Sequence, residues 1–183
     1  LSLRAGRTAL LYGFTRALSR IRGVDAIASL GADYLSEHLG AEVRVFIRDA
    51  SGALDLDHPY GGSGMDAQMP QPDAAVALRS FGSNAAVEQP PGRMHLPLCA
   101  PEAVLGLLIV ESKDGAAFRG ENRELLGAFA GNLALVLERE LLAAANEDHK
   151  MAKESERLTR VLLNHVSHEL RTPLTTIKGA VSG

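Results

Sequence analysis

The chain has 183 residues, 46% of them hydrophobic and 22% charged, which is the balance of a globular protein with a packed core. Its net charge of −3 disfavours nucleic-acid binding, because proteins that bind nucleic acids usually carry a basic excess. The single cysteine, Cys99, cannot form an internal disulfide, which fits a reducing cytoplasm, and its place in an apolar strand favours a buried thiol. No apolar run approaches the roughly 18 residues of a membrane-spanning helix.

The first 22 residues are basic and helical in pattern. Apolar residues recur there at three- and four-residue spacing, which predicts an amphipathic helix over residues 4–22. The same segment holds five arginines and no acidic residue: Arg4, Arg7, Arg16, Arg20 and Arg22. Such charge suits the cytoplasmic side of a membrane span, so residues 1–22 are predicted to be juxtamembrane. A solvated basic helix face explains the charge equally well.

A second helix and two strands are predicted next. Asp25 is a candidate N-cap for this helix, and Gly40 is placed to end it. Val43, Val45 and Ile47 alternate with Arg44 and Phe46, which predicts a strand over residues 43–47. A turn then leads to a second short strand near Leu54. Residues 58–72 are rich in glycine and proline and read as a loop.

The remaining pattern is a short helix, two strands and one very long helix. The short helix is predicted over residues 74–81 and the strands over 94–99 and 104–111, the last of which is continuously apolar, as in a central strand. Residues 121–170 contain no proline and keep a helical period. Residues 141–157 are weakly apolar and are assigned as a linker; a switchable linker and a plain solvated connector both remain open.

This order of elements predicts an α+β fold with an antiparallel sheet. The strand pair formed by Leu96-Pro97-Leu98 and residues 104–110 (VLGLLIV) resembles that of GAF domains. The resemblance covers roughly residues 8–140 and implies a GAF-like antiparallel sheet flanked by helices, followed by a long C-terminal signalling helix that enters a dimeric helical bundle. GAF domains bind varied small ligands, so the ligand is unknown. No histidine or acidic spacing predicts a metal site.

Residues 167–174 read Ser-His-Glu-Leu-Arg-Thr-Pro-Leu and resemble the H-box of sensor histidine kinases. Residues 158–183 are therefore assigned as the truncated start of a dimerisation and phosphoacceptor domain. The resemblance implies that His168 takes the γ-phosphoryl group of ATP and passes it to an aspartate of a response regulator. It also implies that Glu169 holds the proton on the other ring nitrogen and that Thr172 helps position water when the regulator is dephosphorylated.

Helical geometry supports this choice of histidine independently. At about 100° per residue, Leu158, Leu162 and Val166 gather on one side, where they can pack in a bundle. His168 and Thr172 lie one turn apart on the other side, open to a partner domain. A neutral imidazole is nucleophilic at physiological pH. His168 is favoured over His165, which lies at the edge of the apolar side, and that side predicts a parallel homodimer.

Three stretches, residues 9–18, 73–77 and 170–177, resemble the potassium-responsive, Kdp-type sensor kinases. The resemblance implies upstream membrane spans, so this segment is expected to be the cytoplasmic part of an inner-membrane protein in potassium or osmotic signalling. Residues 78–81 depart from the family, which usually has a tryptophan there.

Nothing resembles an ATP-binding domain, so ATP is expected on a missing catalytic domain and the fragment is expected to be inactive alone. A non-catalytic GAF dimer or interaction module and a small-ligand-binding GAF input domain remain as alternatives.

Overall fold

The structure is a computed structural model that describes residues 2–61, 72–112, 118 and 121–181, with side chains described for residues 6–61, 72–112, 118 and 122–166. It divides into two compact units, Leu1–Leu141 and Leu142–Gly183. The elements run in the order α1 (Ser2–Leu18), α2 (Val24–Leu39), β1 (Glu42–Ile47), α3 (Ala74–Ser83), β2 (Val87–Gln89), β3 (Arg93–Cys99), β4 (Val104–Glu111) and α4 (Glu121–Val181). In the described part of the chain, no helix has both the length and the apolarity needed to cross a bilayer.

The strands form one antiparallel sheet in the order β1-β4-β3-β2. β4 lies inside the sheet, where Leu108 pairs with Val45 of β1 on one side and Leu96 of β3 on the other. A strand covered on both faces needs apolar side chains at every position, which explains the unbroken apolar run of β4. The predicted α+β class, its antiparallel sheet and its central strand are confirmed.

Helices cover both faces of this sheet. Successive strand side chains point to opposite faces, so Val45 and Leu108 join the core under α1, α2 and α4, while Phe46 and Leu107 join a smaller cluster under α3. In the larger core the ring of Phe14 from α1 meets that of Phe129 from α4 edge-on, with ring centres 4.8 Å apart. Helices α1 and α4 therefore belong to the same helical layer.

Several predicted element ends differ in the structure. α1 ends at Leu18 rather than at residue 22, and tighter i→i−3 hydrogen bonds of Arg20 and Ile21 complete the turn. The predicted second strand near Leu54 is only an isolated bridge to Arg48. Strand β2 was not predicted, because three residues are too few to show a period.

Asp25 was wrongly predicted to cap α2. The N-cap position is Gly23, with φ of 89° and no side-chain cap, whereas Asp25 lies in the first turn. There the Asp25 carboxylate accepts a hydrogen bond from the Tyr60 hydroxyl at 2.7 Å, a contact across 35 residues that local pattern cannot reveal. The predicted helix end at Gly40 is confirmed, since Gly40 is left-handed, with φ of 60°, and donates its N–H to the Ser36 carbonyl.

The long helix is confirmed and extends further than predicted. α4 begins at Glu121 in the first unit, continues into the second unit and includes Pro173 before it ends at Val181. In the second unit the described side chains, residues 142–166, are all exposed. Ion pairs between neighbouring turns, such as Arg157 with Glu154 at 2.8 Å, support the helix there.

Candidate functional site

The predicted phosphoacceptor segment lies near the C-terminal end of α4. His168, Glu169 and Thr172 are part of the continuous helix, so His168 and Thr172 are one turn apart along it. The side chains of these three residues lie outside the described part of the structure. Their roles in phosphotransfer therefore stay predictions, while their placement on a helix that leaves the folded domain is an observation.

Just before this segment, α4 carries a row of large apolar side chains that nothing in the single chain covers. We call it the apolar stripe, and it consists of Leu158, Leu162, Leu163 and Val166, each between 49% and 63% exposed. Burying one such side chain is worth roughly 1.5–3 kcal/mol. Four of them in a little over two turns are costly to leave in water, which indicates a partner surface.

A second candidate site lies between the sheet and α3, which we call the inner face. His95 of β3 faces it, paired in register with Val87 and Ile109 and fully buried. Neither ring nitrogen reaches the geometry of a hydrogen bond, although the backbone of Val87 is nearby. Buried polar groups are nearly always partnered. The Val87 backbone is therefore the polar group that comes nearest to satisfying the His95 ring.

The electrostatics of the inner face keep this imidazole neutral. Burial is the main reason that the pKa of His95 lies below its ordinary value, and the positive charges of Arg93 and Arg79 act in the same direction. The Val87 backbone and the Asp73 carboxylate act in the opposite direction without reversing the shift. The sequence analysis assigned His95 no site; the available signal was one polar residue at an inward position of an apolar strand.

Tyr60 anchors the end of the loop after β1 to β1 and α2. The backbone of Tyr60 pairs with that of Val45, with N–O distances of 2.8 and 2.9 Å. The hydrogen bond from the Tyr60 hydroxyl to Asp25, together with burial, raises the pKa of Tyr60 to about 12. On the exposed part of the loop His58 lies 2.9 Å from the Asp55 carboxylate, which raises the pKa of His58. Within the described ranges no cluster of His, Cys, Asp or Glu could hold a metal ion.

Cys99 was wrongly expected to be buried. It is exposed at the end of β3, where the strand register shifts between Leu98 and Cys99, and its thiol donates to the side-chain oxygen of Asn84. Partial desolvation raises the pKa of this thiol, which disfavours the reactive thiolate. Cys99 therefore has neither the charge environment nor the low pKa of a redox site.

No protein-family model matches the chain. Two sensor proteins named KdpD are similar to almost all of it: that of Escherichia coli (strain K12) is 34% identical over 184 residues, or 96% of this chain, and that of Clostridium acetobutylicum is 28% identical over 190 residues, or 99% of this chain. The aligned segments are 20% and 21% of those proteins, so the chain spans about a fifth of their length.

One solved structure is similar in both fold and sequence. It is the crystal structure of the native GAF domain of the potassium sensor histidine kinase KdpD from Escherichia coli, at a TM-score of 0.66 and 26% identity. The match covers 76% of this chain and 98% of that domain. The α+β unit described above is therefore a GAF domain, as the strand pair at residues 96–98 and 104–110 predicted.

Proposed function

Because this chain is homologous to the GAF-containing segment of Kdp-type sensor kinases, we propose that it is the regulatory and phosphoacceptor segment of a two-component sensor histidine kinase. The observation that carries the proposal is the H-box sequence at residues 167–174, on one continuous helix that begins in the GAF domain core. Such a helix links a change in the domain directly to the segment where phosphotransfer would occur.

The proposed reaction is phosphoryl transfer to a histidine nitrogen. One imidazole nitrogen of His168 attacks the γ-phosphorus of ATP, a P–N bond forms, and ADP leaves. Glu169 accepts the hydrogen bond of the other ring N–H and so holds the imidazole in the reactive tautomer. The phosphoryl group then moves to an aspartate of a response regulator, and Thr172 helps position the water that later hydrolyses the aspartyl phosphate.

The groups that bind and activate ATP would belong to other parts of the protein. ATP would be bound by a catalytic domain outside this chain, so the segment accepts phosphate without being able to activate ATP itself. The apolar stripe supports a homodimer through α4, in which each copy covers the other. We place this segment on the cytoplasmic side of an inner-membrane protein and assign it to potassium or osmotic signalling, by analogy with its relatives.

The decisive experiment measures autophosphorylation in the full-length protein that carries this segment. With radiolabelled ATP, we expect acid-labile phosphate on the wild type, none on His168→Gln, and nearly normal labelling on His165→Gln as the matched control. A potassium series, with sodium as the control salt, tests the signal. Full labelling of His168→Gln would exclude His168 as the phosphoacceptor, and unlabelled wild type would favour a non-catalytic interaction module.

The alternative of a ligand-binding input domain is supported by one specific observation, the buried imidazole of His95, whose ring nitrogens make no well-formed hydrogen bond to the described residues. A ligand on the inner face could satisfy the two ring nitrogens and stabilise the sheet against α3. Thermal unfolding with cyclic AMP, cyclic GMP or small carboxylates present tests this. A ligand that raises the melting temperature of the wild type but not of His95→Leu would support it, and the absence of any shift across the set would count against it.

A further inference from the structure

A contact between distant parts of the GAF domain lies where α4 leaves it. The carboxylate of Glu140 accepts a hydrogen bond from the backbone N–H of Gly23 at 2.9 Å. Its second oxygen lies 3.6 Å from a guanidinium nitrogen of Arg22. The Glu140 side chain is 13% exposed, whereas that of Arg22 is 75% exposed. We call these three groups the exit latch.

The latch supplies what helix α2 lacks. Gly23 has no side chain to cap the helix, and no side-chain cap bond forms at this end. In a capping box, a Glu or Gln at the third helical position bonds back to the N-cap N–H. That position is Ala26 in α2, and Glu140 of α4 makes the bond instead. A carboxylate at a helix N-terminus is also favoured by the helix dipole.

The Glu140 carboxylate of the latch is also only partly hydrogen-bonded. The Glu140 oxygen that faces Arg22 is buried but makes no hydrogen bond. Arg22 is mostly in solvent, and exposed ion pairs contribute little. The carboxylate has thus given up hydration for one hydrogen bond and one weak charge pair. Opening the contact would return the carboxylate to water, which offsets part of the stabilisation that the closed contact provides.

The position of the latch gives it a role. Its first half is the turn between α1 and α2, and its second half lies just before Leu141, the last residue of the first unit. From there α4 continues into the second unit as the same helix. We propose that the exit latch is a conformational device that couples the α1–α2 turn to the continuation of α4: closed, it restrains that helix, and a displacement of α1 opens it.

The exit latch is a feature of the chain itself and does not depend on phosphotransfer. Hydrogen exchange read by mass spectrometry tests it on two peptides, one over residues 19–27 and one over residues 138–150. For Glu140→Ala we expect exchange in both peptides to be roughly three- to tenfold faster, the size that loss of one helix cap implies. Glu140→Gln keeps the acceptor for Gly23 but loses the charge, so its increase should be smaller. Glu147→Ala, an exposed site on the same helix, is the matched control and should leave both unchanged.

The outcomes separate the latch from a simple cap. Faster exchange in both peptides for the Glu140 variants alone supports the coupling. Faster exchange confined to residues 19–27 would mean that Glu140 only caps α2 and would overturn the inference, as would wild-type exchange in both peptides. If Glu140→Ala does not fold, the nearly isosteric Glu140→Gln decides by the same two readings.

Discussion

The ionisation of His95 should affect the stability of the domain. Its pKa is lowered mainly by burial, so the folded state holds the imidazole neutral at pH values where the unfolded chain, with an ordinary pKa of about 6.5, already binds a proton. The unfolded state therefore gains protons first as the pH falls. Above about pH 6.5 the ionisation of His95 does not change the free energy of unfolding. Below about pH 6.5 it lowers that free energy progressively, until the pH reaches the pKa of His95 in the folded state.

Replacing this histidine should flatten the acid side of the stability curve. For His95→Leu we expect the free energy of unfolding to fall less steeply between pH 7 and pH 5, by at most about 1.4 kcal/mol per pH unit, the limit for one proton. Urea unfolding at a series of pH values measures it. His58→Gln is the control, because the pKa of exposed His58 is raised by Asp55 and its loss cannot reduce acid sensitivity. A slope for His95→Leu equal to that of the wild type would contradict the assignment.

At the scale of elements, the sequence pattern predicted helices and strands whose buried face determines their apolar residues. It missed element ends that depend on residues distant in the sequence. β4 was predicted because its apolar run is unbroken, and α4 because it keeps a helical period over many residues. The start of α2 was wrong because its cap comes from Glu140, 117 residues away, while the local candidate Asp25 is used by Tyr60. The strand near Leu54 was predicted from the turn before it, but that turn returns the chain to β1 for a single bridge only.

The pairing of β4 with β1 depends on one glycine. Gly106 lies opposite Ile47, and a Cβ atom there would collide with the Phe46 carbonyl oxygen and come within 3.1 Å of the Ile47 Cα. Both are backbone atoms, so only a shift of the strands relieves the clash. For Gly106→Ala we expect a loss of about 1–3 kcal/mol of stability, as for other overpacked sites. Scanning calorimetry should show a melting temperature several degrees lower, since about 1 kcal/mol moves it by roughly 2–4 °C at this size.

A glycine of the same chain provides the control. Gly127 is exposed on α4, and a Cβ atom there has no neighbour within 4 Å. Gly127→Ala should leave the melting temperature unchanged or raise it slightly, because alanine favours helix by roughly 0.5–1 kcal/mol over glycine. If both variants melt like the wild type, the close approach of β4 to β1 does not limit the sequence at position 106.

For the molecule as a whole, the GAF domain buries its apolar residues in a core of its own, whereas the described side chains of the second unit are exposed. Residues such as Phe14, Phe129 and Leu133 are fully buried within the first unit, whereas the side chains of the apolar stripe are 49% to 63% exposed. The motif at residues 167–174 made the candidate phosphoacceptor predictable from sequence, because its chemistry is local to one helix. His95 and the exit latch were not predictable, because each depends on burial or contact created by the folded chain.

The apolar stripe carries the last prediction, that two copies associate through it. On the helix, residue 164 is about 200° from residue 162, so Asn164 faces away from the stripe while Leu162 lies in it, 63% exposed. Leu162→Glu would place a charge from each copy in the shared apolar surface, whereas Asn164→Glu adds the same charge to the opposite side. Sedimentation equilibrium should show a dimer for the wild type and for Asn164→Glu, and a dissociation constant at least about tenfold higher for Leu162→Glu, because two buried leucines are lost. A dimer equally weakened by both variants would point to general charge repulsion, and one insensitive to either would move the interface away from α4.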